Sequence, residues 1–549
     1  MHAILRYARW LYGHSAGIRW KLGFNVLLGV LGVGLNLAFI FACKRLVDIA
    51  TGVLAGDLVL AAVLAGGLLL LRILVSGYNA WLQSIVSSKM NFIIRSRIYA
   101  EVMQARWAGR EKMHTGDMMN RLESDVTAVT GVICNDLPEM VTTLFQLAAA
   151  TVFLALMDWR LATLLLVATP LLIVVSKVFF RRLRYLTKRI RETESKVQSH
   201  IQESLRNRVV VKSLEQENIM GVRLDELQDV EMDQVEVRTR LNVLSRMIIS
   251  LTFSGGYITA FLWGVWGIWK GSSTFGMMTA FLQLVSQVQR PAVNLTRQIP
   301  GLVYATASID RLTELENAPK EERGRPRMLP GVAGIRVEDV HFRYPDGKRE
   351  ILAGFSHDFV PGSRTAIFGE TGAGKSTLIR LMLALLRPEE GKITLYSGDK
   401  QYEASPRTRC NLVYVPQGNT LFSGTVLENL LMGNPDASEE QIRTALNVAM
   451  ADFVYALPDG VDTVCGEGGT GLSEGQAQRI AIARALLRPG SILLLDEFSS
   501  SLDPATEEKL LENLTASPAV ADKTMIFITH REKIAAYCDT IYHLERNKA

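Results

Sequence analysis

Nine consecutive residues, Gly369, Glu370, Thr371, Gly372, Ala373, Gly374, Lys375, Ser376 and Thr377, carry the densest chemical signal in the chain. They follow an apolar run at 365–368 and precede an apolar helical stretch that stops at Pro388. Glycines let a backbone curl so that several N–H groups face one anion, and the helix N-terminus behind them adds partial positive charge. Lys375 can then reach the β- and γ-phosphates of a nucleotide, and the hydroxyl of Ser376 can ligate Mg²⁺. The chemistry these residues offer is the binding of ATP with Mg²⁺.

Two further stretches gain meaning from that loop. The run Ser-Ile-Leu-Leu-Leu-Asp496-Glu497 reads as a buried strand ending in two carboxylates. At a strand end beside a phosphate loop, Asp496 can hold Mg²⁺ through water, and Glu497 can polarise an attacking water as general base. Alone, an apolar run ending in Asp-Glu is common. Between the two lies Leu472-Ser473-Glu474-Gly475-Gln476, opening the helical stretch QAQRIAIARALL, with Ser473 placed as an N-cap. By itself that pentapeptide is no more than a helix start.

The elements that position these residues follow from composition. At 549 residues the chain exceeds one ordinary domain. Hydrophobic residues make up 48 % and charged residues 21 %, a balance tilted toward membrane immersion. With 60 basic against 55 acidic residues, nothing suggests a nucleic-acid partner. Cys43, Cys134, Cys410, Cys465 and Cys538 are scattered, without the spacing of a zinc site or disulfide framework. Apolar windows at 22–41, 58–71, 140–157, 161–176, 247–269 and 271–289 predict six helices spanning ~30 Å of hydrocarbon, the second and fourth borrowing neighbouring residues. The first is too long for a signal-peptide core, and further spans follow it. Arg181, Arg182, Arg184, Lys188, Arg189 and Arg191 follow the fourth window. The positive-inside rule therefore puts the long charged segments, roughly 79–135 and 181–240, and both termini in the cytoplasm. Those segments are expected to prolong the membrane helices. Trp263, Trp266 and Trp269 mark the outer end of the fifth span as an aromatic belt. Residues 317–334, rich in Pro, Gly and charge, read as a linker between a membrane domain (1–316) and an α/β domain with a largely parallel sheet (335–549).

Taken together these pieces resemble the ABC transporter family, of which the pentapeptide is the defining mark. The resemblance covers nearly the whole chain. It implies an α-helical six-span transmembrane domain fused to an α/β P-loop cassette with a helical subdomain. It also implies that Tyr344 in FRYPDG stacks on adenine, and that Gln417 in VPQ links Mg²⁺ and water to the membrane domain. Asp503 in SSLD belongs to a dimer-interface loop, and His530 in FITH contacts the γ-phosphate. Ser473, Gly475 and Gln476 then face the ATP held by a second copy's phosphate loop. In the membrane half, 114–126 and 202–217 are similar to cytoplasmic loops whose short helices seat on the cassettes, near Gly466 and Glu467. One departure stands out: the pentapeptide is usually LSGGQ, and here its third residue is Glu474.

The resemblance implies a multi-pass protein of the plasma or inner membrane that works as a dimer, more readily with a second copy than with a different half-transporter. ATP binding closes the cassettes, hydrolysis resets them, and an amphipathic lipid, drug-like compound or peptide is moved by alternating access. The alternative is an ATP-gated channel or regulatory ABC protein, whose catalytic residues are often degraded; Glu497 and His530 speak against it. A soluble ABC ATPase acting on nucleic acid is opposed by the six windows and the near-neutral charge. The absence of a peptidase domain ahead of the first window weakens a peptide-processing role, and the short stretch after His530 leaves no expectation of regulation there. Along the sixth window Gln283, Gln287, Arg290, Asn294 and Arg297 share one helical face. That face either lines a cavity or packs against neighbouring helices.

Overall fold

Windows the length of a bilayer become helices far longer than a bilayer is thick. In a computed structural model, residues 2–107, 115–345, 347, 349–466, 469, 471–518, 520 and 522–547 are described, with side chains for all of these except 2–4, 8, 115, 166–178, 180–181, 249, 292–293 and 296–297. They form two compact units. One comprises residues up to 101 together with 115–317; the other takes in 102–107 and everything from 318 onward.

The first unit is helical: α1 (His2–His14), α2 (Arg19–Ala50), α3 (Leu58–Gln104), α4 (Thr115–Asn120), α5 (Val126–Gly131), α6 (Leu137–Met157), α7 (Trp159–Arg206), α8 (Arg208–Ser213), α9 (Glu217–Trp269) and α10 (Phe275–Glu316). Two π turns, Arg121–Asp125 and Val132–Asp136, join α4, α5 and α6 into one continuous rod. Helices of 47, 48 and 53 residues (α3, α7 and α9) run to about 70–80 Å, more than twice the hydrocarbon thickness. The charged segments thus prolong the apolar windows, as expected. Among the described residues four helical stretches are long and apolar enough to cross a membrane: Arg19–Ala50, Leu58–Gln104, Gly116–Met157 and Glu217–Trp269. The expected six are therefore matched by four on length and composition. Of the other two windows, one lies in α7, where side chains 166–178 are outside the described set, and the other in α10, where glutamines and Arg290 interrupt the apolar run.

Asp158 and Thr274 start α7 and α10 by accepting the orphan N–H groups of their first turns. At one end of the unit Ile40, Leu154, Leu161, Leu165, Phe281 and Leu284 pack into a buried cluster. Trp263 also joins it and donates its indole N–H to Asp158 at 2.7 Å. That tryptophan is therefore a packed tie between α9 and α7, whereas Trp269 is exposed in the manner of a belt. Of the stretch 114–126, residues 115–126 form the foot of the α4–α6 rod. Asp125, fully buried, accepts from Ser308 at 2.8 Å and pairs with Arg311, while Arg121 donates to Glu314 at 2.8 Å. These polar groups are taken up by α10; His114 lies outside the described residues. At 202–217 a short helix does form, α8, with Val209 and Val210 exposed.

The second unit contains two main sheets. Strands β1 (Gly334–Arg343), β2 (Glu350–Phe359), β4 (Glu390–Ser397) and β5 (Lys400–Glu403) make an antiparallel sheet in the order β2-β1-β4-β5. Strands β3 (Arg364–Phe368), β6 (Leu412–Val415), β9 (Ile492–Asp496), β10 (Thr524–Ile528) and β11 (Thr540–His543) make a parallel one, β11-β3-β10-β9-β6. A small pair, β7 (Gly424–Thr425) and β8 (Val464–Cys465), lies apart. The expectation of a single largely parallel sheet holds only for the second of the two main sheets. Loops too short for a crossover join β1 to β2 and β4 to β5, so those neighbours must run antiparallel. Helices α11 (Lys375–Met382), α12 (Val426–Leu431), α13 (Glu439–Val448), α14 (Glu474–Leu486) and α15 (Pro504–Ala516) complete the unit. Two buried cores result. One gathers β1, β2, β4 and α11; the other gathers α12–α15 with β6, β9 and β10.

Residues 318–321 are no free tether. The N–H of Arg106 donates to the Pro319 carbonyl at 2.7 Å, and that of Glu321 to the Gln104 carbonyl at 3.1 Å. The Glu321 carboxylate accepts two bonds from Arg409, both at 2.7 Å, the fork geometry that makes such pairs specific.

Candidate nucleotide site

Parallel strands all end on the same side of their sheet, so loops that leave their C-terminal ends meet along one edge. Here β3 hands over to the loop 369–374, β9 to Glu497, β10 to His530 and β6 to Gln417. The register aligns the ends: Ile528 of β10 stands beside Asp496 of β9 and Ile367 of β3. Residues far apart in sequence become neighbours for that reason alone.

The loop needs its glycines. Gly374 caps α11 with φ 106°, and a Cβ there would stand 2.9 Å from Ile351. A Cβ on Gly369 would stand 2.5 Å from the Leu544 carbonyl oxygen. Neither position tolerates an ordinary side chain. Gly372, at φ 84°, needs its freedom for conformation and not for space. Lys375 is buried, and its ammonium donates to the carbonyls of Gly369 at 2.5 Å and Glu370 at 3.1 Å. The charge is thereby held over the loop. Ala373 is buried beneath it, while Glu370 and Thr371 form its rim.

Asp496 closes β9 almost without exposure. Burial pushes its carboxyl above the usual range; the hydroxyls of Ser376 and Tyr414 hydrogen-bond to it and pull the other way. Glu497 follows in the left-handed region at φ 45°, a conformation that costs a non-glycine residue energy and persists only when its surroundings hold it. They do so from both sides. Its N–H donates to Ile528 at 2.9 Å, and its carbonyl accepts from the Gln478 amide at 3.4 Å. The bend aims the carboxylate at Gln417, whose amide donates to it at 2.5 Å, and at His530, whose Nδ1 lies 3.5 Å away. Glu497, Gln417 and His530 are thus one cluster. Tyr344 stands beside α11 with its hydroxyl 3.2 Å from Thr377 and accepting from Arg380 at 3.2 Å.

The pentapeptide behaves differently. Ser473 caps α14 in a reciprocal box: its hydroxyl accepts from the Gln476 N–H at 3.2 Å, and its own N–H donates to the Gln476 side chain at 2.9 Å. Gly475 packs against Ser501, where a Cβ would come within 3.0 Å of the carbonyl oxygen. Glu474 is exposed. Among the described residues none of these hydrogen-bonds to the chain's own phosphate loop. Asp503 caps α15, accepting from the N–H groups of Ala505 at 3.2 Å and Thr506 at 3.0 Å; hydrogen bonding from the Thr506 side chain first, and then from these N–H groups, holds its carboxyl below the ordinary value. Glu467 lies outside the described residues.

Sequence reasoning missed the braces behind this cluster. Gln478, fully buried, joins the helix after the pentapeptide to Ser501 and to the Glu497 carbonyl. Glu507 is buried with Arg531 at 2.8 Å and receives the Ser499 hydroxyl. A glutamine inside an otherwise apolar helix face, and a basic residue next to His530, are the only signals the sequence carried for them.

Residues 22–292 match the family described as the ABC transporter transmembrane region, and residues 352–500 match the one described as ABC transporter. The chain belongs to the ABC transporter family. It is 30 % identical over 470 residues to an uncharacterized ABC transporter ATP-binding protein, YfiB, of Bacillus subtilis, covering 85 % of this chain and 81 % of that one. An ATP-dependent lipid A-core flippase of Chromohalobacter salexigens is 28 % identical over 473 residues, again covering 85 % and 81 %. Among solved structures, a bacterial Atm1-family ABC exporter with ATP bound superposes with a TM-score of 0.78 at 26 % identity, covering 97 % of this chain and 95 % of that one. The chain is accordingly an ABC membrane protein of the exporter type, with the membrane region and ATP-binding cassette fused.

In this ABC chain the polar stripe of α10 divides. Gln287 accepts a bond from Gln146 of α6 at 2.5 Å, which makes it a helix-packing group. Gln289, outside the expected stripe, is the buried one and lies against Gly256. Gln283 is half-buried, Arg290 and Asn294 are exposed, and the side chain of Arg297 is outside the described set.

Proposed function

We propose that the chain is one half of an ATP-hydrolysing exporter whose two cassettes bind ATP between them. The observation that carries this reading is the cluster of Glu497, Gln417 and His530 beside Ser376, Asp496 and Lys375, at one sheet edge of a chain that also carries membrane-length helices. The loop N–H groups and Lys375 bind the phosphates, and Tyr344 supports adenine. Glu497 takes the proton of the attacking water. Gln417 orients that carboxylate, and His530 completes the site toward the γ-phosphate.

The donors suit Mg²⁺. Ser376, Asp496 and Gln417 offer a hydroxyl, one carboxylate and an amide oxygen, the hard and incomplete set that Mg²⁺ shares with phosphates. Among the described residues no group of three His, Cys, Asp or Glu could hold a metal by itself. When bound, the ion neutralises charge developing on the transferred phosphoryl group.

Dimerisation follows from the pentapeptide. Ser473, Gly475 and Gln476 present the start of a helix that their own phosphate loop does not use, so a second copy's nucleotide is its natural partner. Six membrane spans, with both termini and the basic segments in the cytoplasm, complete the topology. Vesicles reconstituted with the full chain test the proposal. Hydrolysis that rises with an added lipid, drug or peptide is expected of an exporter. Wild-type protein that binds ATP without hydrolysing it would leave only the regulatory reading.

A further inference from the structure

Residues 322–326 continue the segment that Glu321 pins to Arg409, and with the short turn Pro406–Asn411 they border a cleft of about 470 Å³. Four arginines line it, Arg323, Arg407, Arg409 and Arg488, against a single carboxylate, Glu322. Their donors are unequally spent. Arg409 is used up: both terminal nitrogens go to Glu321, and its Nε donates to the Leu383 carbonyl at 2.7 Å. Arg407 donates its Nε to the Arg325 carbonyl at 3.0 Å and one terminal nitrogen to Glu322 at 3.3 Å. Arg488 is held by two backbone carbonyls, Leu412 at 3.0 Å and Arg409 at 3.2 Å. Among the described residues one terminal nitrogen on each of Arg407 and Arg488 has no partner, and Arg323, exposed, has none at all.

The charge behind the cleft does not restore the balance. Burial, and then the charge of Arg387, holds the Arg106 guanidinium below its ordinary pKa, and its Nη2 is buried without a hydrogen-bond partner. The carboxylate near that pair is Glu321, already bonded twice to Arg409. Bracing the segment to the turn explains Arg409 and Arg407, each paired with an acid. It does not explain Arg323, which braces nothing, or Arg488, which among the described residues meets no acid. Carbonyls fix the forks of Arg407 and Arg488 in advance, so an incoming anion need not order them. Planar guanidinium forks match phosphate oxygens, and several together favour an anion of more than one charge. We propose that this cleft binds a compact multivalent phosphate, free or carried on a lipid headgroup, and that the bound anion fastens residues 322–326 to the turn 406–411. None of residues 369–377 lines the cleft, so the site is separate from the phosphate loop and does not depend on the exporter reading.

The test titrates inorganic pyrophosphate into full-length protein in neutral detergent by calorimetry, without Mg²⁺. A Lys375→Ala background keeps the phosphate loop from competing for the probe. Pyrophosphate should bind, and more tightly than orthophosphate. Adding R323Q/R488Q should lower its affinity by about tenfold or more, the usual worth of charge-assisted bonds to one anion. K392Q/K400Q removes equal charge from exposed positions outside the cleft and should leave the affinity unchanged. Glu322→Gln should raise it several-fold, because the change frees Arg407 and removes the one carboxylate of the lining. That gain keeps the proposal testable should R323Q/R488Q fail to fold. Nanodiscs identify the source: phosphatidic acid that blocks pyrophosphate binding, where neutral lipid does not, assigns a headgroup, and absence of a block assigns a free phosphate. Any of five results would overturn the proposal: no pyrophosphate binding, orthophosphate binding as tightly, an affinity unchanged in R323Q/R488Q, an equal loss in K392Q/K400Q, or no gain in Glu322→Gln.

Discussion

The two units of this chain solve opposite solvent problems with the same side chains. In the cassette Leu493, Leu494 and Leu495 are buried in β9, and charged groups gather at a sheet edge. In the helical unit Leu70, Leu71 and Leu74 face outward, while Asp48, Asp125 and Arg121 are buried. Lipid tails accept leucine as readily as a protein core does, but they accept neither charge nor an unpaired backbone group. The helical unit therefore keeps its ion pairs inside as joints between helices. The cassette keeps its charges at an accessible edge, where they can do chemistry.

Four experiments can break or sharpen that contrast, beginning with the largest effect. In a dimer with one wild-type and one Ser473→Arg chain, the site that uses the altered pentapeptide should be dead, while the altered chain's own phosphate loop still binds ATP. A purified monomer that hydrolyses ATP as fast as the dimer would contradict the shared site. Next, Glu497→Gln should lower turnover by about 100-fold or more at retained ATP affinity, the scale of a positioned general base. Near-normal turnover would remove Glu497 from that role. Lys375→Ala should instead weaken nucleotide binding by about tenfold or more, since it removes a charge aimed at the phosphates.

The third experiment compares leucines. Leu494→Ala should destabilise the cassette by about 2–5 kcal/mol through lost burial and a cavity, whereas Leu70→Ala should cost less than about 0.5 kcal/mol, because lipid refills the space. Thermal unfolding of the full chain in nanodiscs reads both. Equal costs would mean that Leu70 is packed against protein. The smallest contrast concerns ion pairs. Asp125→Ala leaves Arg311 without its buried partner and should cost about 3 kcal/mol, while Asp358→Ala breaks an exposed pair with Arg336 at 3.2 Å and should cost less than about 1 kcal/mol. Should the two costs agree, the helical unit's buried charges are not its joints.

Much of the nucleotide site was legible because its signals are local. The phosphate loop needs glycine at fixed spacing for steric reasons that act within nine residues, and Ser473 caps a helix that begins at the next residue. The stretch 114–126 hides its partners for the opposite reason. Its charges look solvated in one dimension, yet Asp125 finds Arg311 almost two hundred residues away. The polar stripe of α10 left two readings open and Gln287 takes the packing one, because helical periodicity assigns a face and does not say which helix meets it. Gln478 and the Glu507–Arg531 pair carry no motif at all; their meaning is their burial.

The sequence alone determined where apolar windows, glycine loop and strand-end carboxylates lie, because lipid thickness, backbone sterics and strand length act over short stretches of chain. Tertiary structure decided that Gln417, Glu497 and His530 form one cluster, since only the parallel order β3-β10-β9-β6 brings those strand ends together. It also decided that Glu497 is held at a positive φ, by groups from β10 and α14 that no local rule connects to it.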